Sequence, residues 1–121
     1  AVRLTRCDDI LVIGEGIETM LSVREAAPGL PVWAALSSGH LGAVLLPEGL
    51  RRLYIAIDRD PAGQRAAERL SARATEVGIA VHVLEPQLGD FNDDLRADGP
   101  AVLRKHLSKQ IVPEDLQRLE V

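Results

Sequence analysis

Residues Arg51 to Gln64 read RRLYIAIDRDPAGQ, and the fold turns on how they are read. Leu53-Tyr54-Ile55-Ala56-Ile57 is apolar without alternation, the pattern of a central parallel strand covered on both faces. Two acids, Asp58 and Asp60, stand at its end, and Pro61 opens a helix. Pro is at home there, because the first helical N–H has no partner to lose, and Asp60 is a preferred N-cap. Ligands of open α/β sheets bind outside the carboxyl ends of the strands. A pair of carboxylates at that edge points to a divalent cation.

Upstream, Ile10 to Gly14 (ILVIG) is an apolar run of strand length with Glu15 directly at its end. Gly16 to about Ala27 reads as a helix with Ile17, Met20, Leu21 and Ala27 near one face, stopped by Pro28-Gly29. Val32 to Leu36 reads as the next strand. Ser37-Ser38-Gly39-His40 follows as a turn, with a short helix expected over Leu41 to Leu46. Downstream, Ala66, Leu70, Ala74 and Val77 share a helical face and Gly78 closes the helix. Ala80 to Leu84 is a fourth strand. Pro86 to Gly89 leads as a loop into Asp90-Phe91-Asn92-Asp93-Asp94, a helix runs from Gly99-Pro100 to about Lys109, and Pro113-Glu114 starts a last short helix or tail.

This order implies an α/β domain, a four-stranded, mainly parallel sheet flanked by helices with right-handed crossovers. The 121 residues suit one domain spanning 1–121. The absence of an initiator Met leads us to expect a segment excised from a longer protein. A net charge of -4 argues against a free-standing, non-specific nucleic-acid binder, though not against a catalytic module whose acids hold metal. Cys7 is the only cysteine, which excludes an internal disulfide and a thiolate metal cluster. No apolar run is long enough for a membrane span or a signal peptide, so a cytoplasmic setting is the default expectation.

A parallel sheet brings Glu15, the Asp58/Asp60 pair and the Asp90 to Asp94 segment to one edge. Neighbouring strands lie ~4.8 Å apart, and hydrated Mg²⁺ bridges carboxylates that do not touch. Such an ion suits phosphoryl or nucleotidyl transfer, since it neutralises phosphate charge and orients the attacking and leaving oxygens. A carboxylate left unliganded can move a proton.

GEGIETMLS, YIAIDRDPAGQRAAERL and GDFNDDL, in that order, resemble the Toprim domain of bacterial-type primases, type IA and II topoisomerases, OLD-type nucleases and recombination proteins, in the variant of plasmid and phage primases and primase-helicases. The resemblance runs from Ile10 to about Leu107. It implies a Rossmann-like sheet, Mg²⁺ or Mn²⁺ as cofactor, and primer synthesis on single-stranded DNA from nucleoside triphosphates with help from other domains of the parent protein. It places the proton-transferring acid on Glu15 and the metal ligands on Asp58, Asp60 and Asp90. Glu18, Asp93 and His40 are supporting candidates. One departure is Thr19, where many primases carry an acid four residues after the invariant Glu.

Each feature also has a plainer reading. Asp60 as an N-cap is a complete structural explanation, whereas Asp58 at the end of an apolar strand is not, because an unpaired buried carboxylate is costly. Glu15 could merely favour a helix N-terminus, and Glu18 could be a cap. Asp94 and Asp98 read as solvated surface charges, and His82 and His106 as structural. Arg65, Arg69 and Arg73 form a basic stripe at i, i+4 spacing, but Glu68 and Glu76 intervene, so an ion-paired solvated face is an equal reading.

Gly14-Glu15-Gly16 lacks the third glycine of a dinucleotide fingerprint and puts an acid where pyrophosphate would sit. Haloacid-dehalogenase-like phosphatases carry Asp-x-Asp on the first strand, not the third. The only tyrosine, Tyr54, sits inside the central strand, so the chain is no complete topoisomerase. Two alternatives to primer synthesis remain open: phosphodiester hydrolysis by the same acids, and a non-catalytic assembly module in replication or recombination.

Overall fold

The computed structural model describes residues 1–120. In chain order its elements are β1 (Val2–Arg3), β2 (Ile10–Gly14), α1 (Ile17–Ala26), β3 (Val32–Ala34), α2 (Ser38–Ala43), β4 (Arg52–Ala56), α3 (Pro61–Glu76), β5 (Ala80–Leu84), α4 (Phe91–Asp98), α5 (Pro100–Ser108) and a 3-10 helix over Pro113–Glu120. The strands make one sheet in the order β1-β3-β2-β4-β5. β2 to β5 pair in parallel, while β1 runs antiparallel to β3. The expected four strands are therefore five. A two-residue strand leaves no periodic signal, and this one is held by its pairing with Trp33 and Ala34 and by the Arg3 guanidinium 4.7 Å over the Trp33 ring.

The strand order places the functional crevice. From β2 the chain moves outward to β3, then returns past β2 to reach β4 on its other side. The gap between the carboxyl ends of β2 and β4 is therefore the topological switch point, where open α/β sheets bind ligands. Opposite directions of travel with right-handed crossovers put the helices on opposite faces. Accordingly α1, α4 and α5 pack together on one face, and α2 and α3 on the other.

Both faces are buried, which is why the strands read as unbroken apolar runs. Ile10, Val12, Tyr54 and Ala56 point into the layer with Met20, Val23, Phe91 and Leu103. Leu11, Ile13, Leu53, Ile55 and Ile57 point into the layer with Leu41, Ala66, Leu70 and Ala74. The helical faces differ in part from expectation. Ile17 and Leu21 are exposed, and α1 instead buries Thr19, Met20, Ser22, Val23 and Ala26. Val77 lies just past the end of α3 and is exposed as well. The short helix begins at Ser38 rather than Leu41 because the Ser37 hydroxyl caps it, accepting from His40 N at 3.1 Å.

At the opposite end of the sheet the 3-10 helix is tied to β4 by a buried ionic network. Arg52 Nη1 donates to both oxygens of Asp115 at 3.1 Å, and the Tyr54 hydroxyl donates to Asp115 Oδ2 at 2.6 Å. Arg52 and Asp115 are 8% and 2% exposed. Burial and this carboxylate push the Tyr54 phenol well above its ordinary value. Asp8 and Asp9 bind Arg118 outside this core.

Candidate active site

Glu15 follows β2 directly, and Asp58 and Asp60 follow the adjacent parallel β4. Gly14 permits the tight junction below Glu15, since a Cβ there would stand 2.5 Å from Met20 Sδ and 3.0 Å from the Ala56 carbonyl oxygen. The turn after β3 holds Glu15 from the other side. Ala35 N donates to the Gly14 carbonyl and Leu36 N to the Glu15 carbonyl, at 2.8 and 2.6 Å. Leu36 adopts φ 81° to do so, a left-handed conformation in which a bulky residue is an outlier and which costs of order 1–3 kcal/mol.

Carboxylate oxygens of Glu15, Asp58 and Asp60 lie within 4.8 Å of one another. Glu15 Oε2 is buried and has no hydrogen-bond partner among the described residues. Asp58 receives one long hydrogen bond, from Thr19 Oγ1 at 3.4 Å. Burial first, then the like charges of Asp90, Glu15 and Asp60, push the Asp58 carboxyl up from 3.8 to about 6, against the pull of Thr19. Three carboxylates gathered around an orphaned buried oxygen form a donor set that fits a hard divalent cation, which takes oxygen ligands.

Asp60 also caps α3, accepting from Gly63 N at 2.6 Å through Oδ1, so capping and ligation compete for only one of its oxygens. Asp90 stands outside the trio. Its Oδ1 caps α4, accepting from Asp93 N at 2.8 Å, and its charge still reaches Asp58. Asp93 is exposed and folds against Gly89, whose added Cβ would meet Asp93 Oδ2 at 2.9 Å. Glu18 is exposed in the first turn of α1, and position 19, as Thr, is what faces Asp58. His40 lies within α2, lining a surface cavity with Arg3, Trp33 and Val44.

The Asp90 to Asp94 stretch is a helix start, not the tail of a loop, and Asp94 is not a solvated charge. It is 2% exposed. Its two oxygens accept from Gln87 N and Leu88 N at 2.8 and 2.7 Å. Arg59 grips the same loop from the β4 side. Its Nε donates to the Leu88 carbonyl at 2.9 Å and its Nη2 to the Pro86 carbonyl, while Arg59 N donates to the Gly89 carbonyl at 2.8 Å. One clamp takes the loop's amides and the other its carbonyls, and together they set Asp90 beside Asp58. Neither role is visible in the sequence, because each depends on backbone groups that meet only in the folded loop.

Asp94→Ala is therefore expected to lower stability by about 1–3 kcal/mol, the scale of losing charge-assisted hydrogen bonds to partly hydrated amides. It should also weaken Mn²⁺ binding several-fold. Urea denaturation and a Mn²⁺ titration check the two effects, with Asp94→Asn intermediate in both.

Solved structures share this fold. The primase fragment of the bacteriophage T7 primase-helicase protein matches with a TM-score of 0.64 at 20% identity, covering 88% of this chain and 45% of that one. A bacteriophage T7 structure of lagging-strand DNA polymerase interacting with primase domains bound to an RNA/DNA hybrid and dTTP matches at 0.63 and 20%, covering 89% and 56%. The Aquifex aeolicus primase, comprising zinc-binding and RNA polymerase domains, matches at 0.52 and 20%, covering 85% and 26%. The chain thus spans about half of the T7 chains and a quarter of the Aquifex one. No curated protein sequence matches it significantly. The sequence model described as the Toprim domain matches residues 10–101, a span that takes in β2, β4 and every acid of the site, and the chain belongs to that family.

Proposed function

We propose that this chain is the catalytic domain of a DNA primase or primase-helicase, joining nucleoside triphosphates into a primer on single-stranded DNA. The observation that carries the reading is the buried, unpartnered Oε2 of half-buried Glu15 beside Asp58 and Asp60 at the switch point of a Toprim sheet. Asp58 and Asp60 would hold Mg²⁺ or Mn²⁺, with Asp90 in support. Once bound, the ion would neutralise phosphate charge and orient the reacting oxygens.

Glu15 would be the proton-transferring group. Its Oε2 is committed to no other contact, and the strand end and the Leu36 amide fix its backbone. A base on a rigid strand end can take the proton of an attacking 3′-hydroxyl as its oxygen bonds the α-phosphorus of the incoming triphosphate and the α–β phosphoanhydride bond breaks, releasing pyrophosphate. Thr19 steadies Asp58, and Arg59 and Asp94 position Asp90. The domain acts within a longer protein whose other parts supply most of the grip on the template, in keeping with the net charge of -4.

The test is incubation of the parent protein with a single-stranded template, nucleoside triphosphates and Mg²⁺, resolved on a gel. Extension products that vanish with Glu15→Gln are the expected result. Shortening of the template, with or without triphosphates, would move the same acids to phosphodiester hydrolysis. An unchanged template would leave an assembly role.

A further inference from the structure

Beside the acidic trio, on the α2/α3 face of the sheet, lies an open cleft of about 660 Å³ lined by Ser38, Ala62, Arg65, Glu68, Arg69 and Ala72. Ser38 begins α2 just after β3, and Ala62 lies in the first turn of α3 just after Asp60. The mouth of the cleft is therefore at the carboxyl edge that carries the acids. Ion pairs among the described residues occupy Arg51, Arg52 and Arg118. Arg65 and Arg69 take part in none, and Glu68 between them forms none either.

The three arginines of the α3 stripe have different fates. Arg73 is spent on structure, donating to the Gly42 and Val44 carbonyls at 2.6 and 2.8 Å. Arg69 lies flat against Gly42, where an added Cβ would meet its Nη2 at 2.7 Å, so α2 holds its guanidinium in place. Arg65 is exposed at the end nearer Asp60. Two unpaired guanidiniums on a concave wall are suited to phosphate, which Arg binds through its planar fork of donors.

We infer that this cleft is a phosphate track: Arg65 and Arg69 bind successive phosphates of a single nucleic-acid strand and lead it to the acidic trio. Residues four apart on a helix rise by ~6 Å, which suits adjacent phosphates of an extended strand better than the closer phosphorus atoms of a triphosphate. With Tyr54 and Phe91 both buried in the core, there is no aromatic platform here, so contact is with backbone and not base. Glu68 opposes the ligand and keeps the affinity low, as suits a strand that must move through. The inference rests on the proposed nucleotidyl-transfer site for its orientation, although the binding itself needs no metal.

The test is fluorescence anisotropy of a short oligothymidylate with the chain in EDTA, over a series of salt concentrations. Arg65→Ala and Arg69→Ala should each weaken binding several-fold and flatten the log–log salt dependence by about 0.7, the value for one phosphate contact on a single strand. Glu68→Ala should tighten binding, an effect that a merely structural role for the face would not produce. Lys105→Ala on α5, across the sheet, makes the same change in net charge and should leave the slope unaltered.

Failure of the unsubstituted chain to bind at low salt, or an equal loss in Lys105→Ala, would overturn the inference. So would inorganic triphosphate competing as well as the strand per phosphate. Asp58→Asn separates the two readings: it should not weaken this metal-free binding while abolishing synthesis. Strand binding without synthesis in the unsubstituted protein would remove the catalytic proposal and spare the track.

Discussion

In chelator at pH 8, Asp58→Asn should melt at a higher temperature than the unsubstituted chain, and addition of Mg²⁺ should erase or reverse that order. The sign follows from the raised carboxyl. A folded value of about 6 against 3.8 in an unstructured chain means that the native state favours protonated Asp58. That contribution to stability is complete below pH ~4 and is lost as pH rises through about 6. The full shift corresponds to ~3 kcal/mol, which screening at a half-buried position reduces to ~1–2 kcal/mol.

Asn removes the charge at every pH, so its advantage should be absent near pH ~4, grow between pH ~4 and ~6, and be complete above that. Mg²⁺ held by the native trio would stabilise the unsubstituted chain by mass action and would find a weaker site in the variant. Under the proposed function synthesis should fall by several orders of magnitude, since Asp58 would hold the ion that serves the reacting phosphates. Melting curves at the two pH values, with and without Mg²⁺, check the pattern.

Asp115→Ala should cost about 3–5 kcal/mol, the scale for breaking one side of a buried ion pair. The Arg52 cation and the Tyr54 hydroxyl would both lose their carboxylate inside the protein. Removing the buried partner of a buried charge is what makes this large, although Arg52 Nη2 keeps the exposed Glu114 carboxylate at 3.2 Å and the loss should fall at the low end of that range. An intact buried pair contributes little beyond an apolar substitute. The double variant Arg52→Met/Asp115→Leu should accordingly be more stable than Asp115→Ala, which urea denaturation of the pair would reveal. Arg52 and Tyr54 lie six and four residues before Asp58, roughly 20 and 13 Å at ~3.3 Å per strand residue. The loss should therefore be the same with and without Mg²⁺, unlike that of Asp58→Asn.

The sheet and the acids at its edge were legible in the sequence because each leaves a local signal. Leu53 to Ile57 could be read as a doubly covered strand without knowing its neighbours, and Asp58 stood out as a carboxylate at the end of an apolar run. Asp60 and Pro61 announced α3 by cap chemistry. What stayed hidden is what depends on partners distant in sequence. β1 exists because Trp33 and Ala34 offer an open edge. Asp94 is buried because the amides of Gln87 and Leu88 turn towards it, although its neighbours Asp93 and Arg96 suggest a solvated stretch. Asp90 as the cap of α4 is a local signal masked by Asn92, Asp93 and Asp94, which disfavour helix on propensity, and the cap outweighs them. On α1, Ile17 and Leu21 are apolar yet exposed, whereas Thr19 is buried facing Asp58.

In this reading Asp58 and Asp60 hold one divalent cation at the switch point, with Glu15 and Asp90 beside it. The most direct measurement is an NMR titration with Mn²⁺, recording which backbone amides broaden. Broadening should centre on residues 15, 58, 60 and 90 and be absent from the Arg52–Asp115 end of the sheet. Asp58→Asn should abolish it. Broadening spread evenly over the exposed acids, or unchanged in that variant, would contradict the claim.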